Sequence, residues 1–147
     1  MKRTNQVSSP KLLTLMAKVP FFLKFNGSER AQMAEFAQIF IADTDEAIIE
    51  KEAGDTCFYV MLSGQARVCV ERDSAPVAII APGEIFGEVG FILNSPRSSW
   101  VLANQVCALL RIDQLLMNRL DVSARDKVKD QIIFKLAKTI VAYNSKT

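Results

Sequence analysis

The chain has 147 residues, of which 50% are hydrophobic and 23% charged, with a formal net charge of +2 and no histidine. That is ample apolar material for one core, and too small a charge imbalance to indicate a nucleic-acid partner. The missing histidine excludes Ser-His-Asp triads, Cys-His nucleophiles and His-ligated zinc.

The first ten residues are polar and are expected to be flexible. Residues 11–147 are read as a single domain in three parts: helices over 11–38, a β body over 39–112 and helices over 113–147. In the first part Leu12, Leu15, Met16 and Val19 recur at helical spacing, and Pro20 limits that helix. Lys18, Pro20 and Lys24 interrupt the apolar run too often for a signal peptide. Asn26 to Ser28 reads as a turn and an N-cap, with Glu29 in the first turn of a helix that ends near Gln38.

From Ile39 the texture changes to short apolar runs separated by turn residues, predicting strands at 39–44, 47–51, 57–63, 65–71, 77–81, 84–87, 98–105 and 106–112. Cys57, Cys69 and Cys107 lie in these runs, odd in number and without a Cys-x-x-Cys motif, and read as reduced core thiols. After Asp113 the pattern is helical again. Asp113 is a candidate cap for a short helix, and a longer one follows with Val128, Ile132, Leu136 and Ile140 in a stripe widened by Ile133, Ala137 and Tyr143. The expected fold is α+β: an eight-stranded, jelly-roll-like β-roll flanked by N-terminal and C-terminal helices. No apolar run reaches the ~18 residues of a membrane span, so a soluble, cytoplasmic protein is expected.

One stretch carries chemistry: GEIFGEVGFILNSPRSSW, ending at Trp100. If a strand ends near Phe86 and EVGFIL forms a helical turn, the amides of that turn favour an anion. Gly87 allows a close backbone approach, and Glu88 can accept from a sugar hydroxyl. Pro96 restricts where the chain aims Arg97, whose planar fork suits two phosphate oxygens, and Ser98 and Ser99 add hydroxyl donors. One arginine and one acceptor carboxylate suit a singly charged phosphodiester; no Gly-Lys-Ser/Thr run is present for a triphosphate. By residue type alone, Glu88 and Arg97 read more readily as a surface ion pair bracing a loop.

The segment FGEVGFILNSPRSSWVLA resembles the phosphate-binding cassette of the cyclic nucleotide-binding domain family, and RSSWVLA is similar to that of the bacterial catabolite activators. PFFLKFNGSERAQMAEFAQ resembles the family's N-terminal helices, and EAGDTCFYVMLSGQARV its strand-turn-strand unit. The resemblance implies that Glu88 and the Gly87 amide take the ribose 2′-hydroxyl and that Arg97 pairs with the cyclic phosphate. It implies that Val89, Gly90, Ser98 and Ser99 complete the cradle, that Val68 and Ala78 line the base pocket, and that a residue near Thr139 covers the base.

The function so implied is a non-enzymatic sensor of cyclic AMP, or else of cyclic GMP, with no cofactor and no metal. Cleaving a phosphodiester needs an activated water, usually at a metal site, and no carboxylate cluster is evident. No helix-turn-helix follows the long helix, so direct nucleic-acid binding is not expected, nor is a membrane partner. The apolar stripe of that helix could pack on its own β body or pair with a second copy in a homodimer. The alternative is a degenerate relative kept as a ligand-free interaction module, against which Glu88 and Arg97 speak.

Overall fold

A computed structural model describes residues 1–4 and 9–145. The elements in chain order are β1 (Lys2–Thr4), α1 (Ser9–Met16), a 3-10 turn (Pro20–Phe22), α2 (Gly27–Phe36), β2 (Gln38–Ala42), β3 (Ala47–Ile49), β4 (Cys57–Ser63), β5 (Ala66–Cys69), β6 (Ala78–Ile80), β7 (Ile85–Phe86), α3 (Glu88–Leu93), β8 (Trp100–Ala103), β9 (Cys107–Asp113), α4 (Gln114–Arg119) and α5 (Val122–Ser145). Two antiparallel sheets, ordered β1-β2-β9-β4-β7 and β3-β8-β5-β6, face each other as a β-roll. Helices flank it on both sides in sequence, as the α+β pattern predicts.

The strand β4 shows why the roll needs no long sequence signal. Its residues Cys57 to Leu62 are all buried, so it reads as an unbroken apolar run. Successive side chains point to opposite faces. Cys57, Tyr59 and Met61 enter the core between the sheets, with Phe86, Val101 and Leu109. Phe58, Val60 and Leu62 enter a second core beneath the helices, with Met16, Phe22, Met33, Leu110 and Ile132. The five-stranded sheet therefore has an apolar layer on each side, and the helices are attached to the roll through it.

Several expectations are corrected in detail. Lys2–Thr4, expected to be flexible, form the edge strand β1 against β2, so nine strands rather than eight are present among the described residues. Their main-chain groups pair even though their side chains carry no apolar pattern; residues 5–8 of the expected flexible segment lie outside the described residues. The first helix ends at Met16, not at Pro20; Pro20 instead opens the 3-10 turn, where its fixed φ is suited. Asn26 rather than Ser28 caps α2, because its side chain accepts from the Glu29 amide while the Glu29 carboxylate accepts from the Asn26 amide. Asp113 caps α4 through the Leu116 amide, as read from the sequence. The three cysteines are free and buried, and burial pushes the Cys107 thiol up.

Candidate functional site

The site is assembled where β7 runs into α3. Gly87 has φ 80, a left-handed backbone that glycine adopts without strain, and it caps α3. The helix ends at Asn94, φ 52, also left-handed and tolerated by asparagine. These two residues make α3 a single compact turn, and residues 95–99 return beside it into β8. The loop is also held from the far side: the Arg97 amide donates to Ala53 O at 2.9 Å, and the Glu52 amide donates to Arg97 O at 2.8 Å.

Arg97 is 4% exposed. Its Nη1 donates to Gly87 O at 2.7 Å, and its Nη2 to Asp55 Oδ2 at 3.0 Å and to Cys57 O. A guanidinium has five N–H donors. These bonds use three, and Nε is buried without a partner. Burial pushes the Asp55 carboxyl up, but the Arg97 hydrogen bond and charge outweigh it, so the group lies below the usual carboxylate range.

The two glycines are explained by this arginine. A Cβ on Gly87 would stand 3.1 Å from Arg97 Nη1 and 3.1 Å from Ile49 Cδ1, and one on Gly90 would stand 2.7 Å from Arg97 Nη1. They leave room for the guanidinium itself, whereas the sequence suggested Gly87 for the close approach of a ligand and Gly90 for the phosphate cradle.

Glu88 is also 4% exposed. It does not pair with Arg97, so the surface-pair reading is overturned. Lys135 of α5 reaches it instead, Nζ to Oε1 at 2.6 Å, with the lysine side chain 34% exposed. A cavity of about 270 Å³ is lined by Gly87, Glu88, Val89, Gly90, Arg97, Ser98, Ser99, Val68 and Lys135 among others. The carboxylate and the guanidinium thus belong to one cavity, with a lysine from a distant helix on its rim.

Of the residues read from the sequence, Ala78 and Thr139 do not line this cavity. Ala78 is exposed on β6, paired across the sheet with Val68, which does. Thr139 lies one turn beyond Lys135 and lines a different groove, with Phe21 and Glu84. Lys135 was missed, because the long helix offers several lysines and nothing local distinguishes this one. Asp55 and Cys57 O were missed because their contact with Arg97 spans about 40 residues.

The helix α5 is fastened at its start by a separate group. Glu29, buried in α2, accepts from Ser123 Oγ and from Lys127 Nζ at 2.6 Å. Lys127, then Ser123 and the Asn26 amide, hold its carboxyl down to about 2 from 4.5, against burial. Gln32 and Asp121 exchange two hydrogen bonds, at 2.8 and 2.9 Å. Along the predicted stripe Val128 and Ile132 are buried and Leu136 is partly so, but Ile140 is 60% exposed.

Among the described residues no helix is long and apolar enough to cross a membrane, and no group of three or more His, Cys, Asp or Glu could hold a metal ion.

Comparison with known proteins agrees with this architecture. The sequence profile of the cyclic nucleotide-binding domain matches residues 42–120, more than half of the chain. A cAMP-dependent protein kinase regulatory subunit from Yarrowia lipolytica is 34% identical over 89 residues, which are 60% of this chain and 24% of that protein. The chain therefore spans about a quarter of that relative's length. Among solved structures, the Thermus thermophilus catabolite activator protein superposes with a TM-score of 0.73 at 19% identity, covering 86% of this chain and 61% of that one. The regulatory subunit of a cAMP-independent protein kinase A from Trypanosoma brucei gives 0.74 at 18% identity, covering 95% and 50%. At such identities these two likenesses speak for the fold alone.

Proposed function

We infer that this chain, which belongs to the cyclic nucleotide-binding domain family, is a sensor whose cassette cavity takes cyclic AMP in preference to cyclic GMP, without catalysing a reaction. The observation that carries the reading is one cavity lined both by a buried guanidinium with an unpaired Nε and by a buried carboxylate.

A buried donor without a partner is costly, and a phosphate oxygen would satisfy it. Arg97 has that Nε–H and one Nη1–H beyond its protein bonds. Its other donors fix its position, so little side-chain entropy remains to be lost on binding. Glu88 serves the sugar. An ionised carboxylate accepts at about four lone-pair sites, so it can hold Lys135 and a ribose hydroxyl together. Lys135 also brings positive charge to the rim of a cavity meant for an anion. The amides of Val89 and Gly90, with Ser98 and Ser99, complete the phosphate cradle, and Val68 faces the base. The preference for cyclic AMP rests on the name of the Yarrowia relative and on the likeness of RSSWVLA to the catabolite activators.

The mechanism is a population shift. A ligand bound by Glu88 strengthens the site that Lys135 occupies, and so favours the docked position of α5. We assign the binding site to Gly87, Glu88, Val89, Gly90, Arg97, Ser98, Ser99 and Val68, and the domain to residues 11–147, acting in the cytoplasm. The exposed end of α5 is the surface through which the state is read, by a second copy or another protein.

Calorimetric titration with cyclic AMP and cyclic GMP tests this, with the emission of Trp100 followed in parallel. Trp100 opens β8 directly after Ser99 and stacks under Arg72, whose guanidinium is 5.0 Å from the ring centroid. Saturable heat and a spectral change with cyclic AMP are expected. No heat and no change with either nucleotide at millimolar concentration would overturn the reading.

A further inference from the structure

A second cavity, of about 390 Å³, lies behind the cassette helix, between α3, α4 and α5. Its walls are apolar: Phe91 and Ile92 of α3, Met117 of α4, and Ile132 and Ile133 of α5. Two cations enter this lining, Arg125 and Lys129, and no carboxylate does. Arg125 Nε is buried with no hydrogen-bond partner. The nearby carboxylate of Asp121 feels the Arg125 charge but accepts its hydrogen bonds from the Ala124 amide at 2.8 Å and from Gln32 at 2.8 Å. Gln114, the remaining polar neighbour, donates to Asn118. Neither Arg125 nor Lys129 belongs to an ion pair found among the described residues.

The volume is within the range of small-ligand pockets, and an apolar lining with a few polar groups is their usual composition. A buried, unpaired guanidinium nitrogen calls for an acceptor, and a free ammonium beside it calls for negative charge. We propose that this cavity is a second ligand site, for a small amphiphile with an apolar body and a carboxylate or similar anionic head. Its body lies on Phe91, Ile92, Met117 and Ile133, and its head meets Arg125 and Lys129. Because α3 carries Glu88 and α5 carries Lys135, the occupant bridges the two helices that the Glu88–Lys135 pair also joins. It therefore favours docked α5 and tightens nucleotide binding at the cassette. The second site stands on its own observations; only the coupling rests on the proposed sensor function.

The test uses the full chain labelled with ¹⁵N and titrated with octanoate, octan-1-ol and octylamine. Octanoate is expected to shift the amides of Phe91, Ile92, Met117 and Ile133 saturably, and octylamine is not. Arg125→Met keeps the apolar stem and should weaken octanoate about tenfold or more while leaving octan-1-ol unchanged. Octanoate at saturation should tighten cyclic AMP about fivefold. No saturable shift, equal binding of octylamine, or an Arg125→Met variant that binds octanoate as the parent does would overturn the site. Octanoate binding that leaves cyclic AMP affinity unchanged, or weakens it, would overturn the coupling. A chain that binds octanoate but no cyclic nucleotide would sink the sensor reading and leave the site intact.

Discussion

The two ends of α5 are held in different ways. At its start, Glu29, Gln32, Asp121, Ser123 and Lys127 form a set of short hydrogen bonds around a buried carboxylate. Further along, one ion pair joins Lys135 to Glu88, and beyond it Ile140, Val141 and Tyr143 are exposed. A helix fixed by hydrogen bonds at one end, and held further along by one ion pair, by the partly buried Leu136 and by Lys24 over the Phe134 ring, can swing about the fixed end. The contact that would swing is the one that closes on the proposed ligand. The fixed end belongs to the fold, and the more loosely held end to the proposed function.

Four substitutions can break or sharpen this contrast. The largest effect is expected from Arg97→Ala. It removes the proposed phosphate partner and also the Nη1 donor to Gly87 O and the Nη2 donor to Cys57 O and Asp55. The loss should be about 3–5 kcal/mol, or two to four decades of cyclic AMP affinity by calorimetry, and a loss below about tenfold would remove Arg97 from the phosphate site. Next comes Gly90→Ala, whose Cβ would meet Arg97 Nη1 at 2.7 Å. Because that guanidinium is pinned, it should be displaced, and affinity should fall by about one to two decades while the far-ultraviolet dichroism is kept.

Lys135→Met is expected to act more weakly, since the lysine is partly exposed. Affinity should fall about tenfold or less, and amide exchange over residues 133–145 should become insensitive to cyclic AMP. An unchanged response would mean that the pair is not what links cavity and helix. Glu29→Gln should leave cyclic AMP affinity unchanged and act on stability alone. The Glu29 carboxyl is held down to about 2, below its ordinary 4.5, so its stabilisation is complete above the ordinary range and is lost as pH falls toward 2. In thermal melts the parent should lose stability over that window, and the variant should start lower at neutral pH and lose less.

How much of this was readable in the sequence depended on the distance over which each contact acts. The short helix of the cassette was read at its true bounds, because Gly87 and Asn94 delimit it locally. The eight predicted strands were found, β4 and β9 at their predicted length and the others one to four residues shorter, because Gly64, Gly83 and the polar turns punctuate them. Glu88 and Arg97 could be named in advance, yet their neighbours could not. Asp55, Cys57 and Lys135 reach the site through strand pairing and helix docking, which leave no local trace. The same limit explains β1, whose pairing with β2 is a main-chain matter that its polar side chains do not signal.

Hydrogen–deuterium exchange on the full chain, with and without saturating cyclic AMP, tests the contrast most directly. Added protection is expected over residues 87–99 and 133–145, with residues 121–128 unchanged because they are already fastened. No added protection over the cassette, or protection spread evenly along α5, would contradict it.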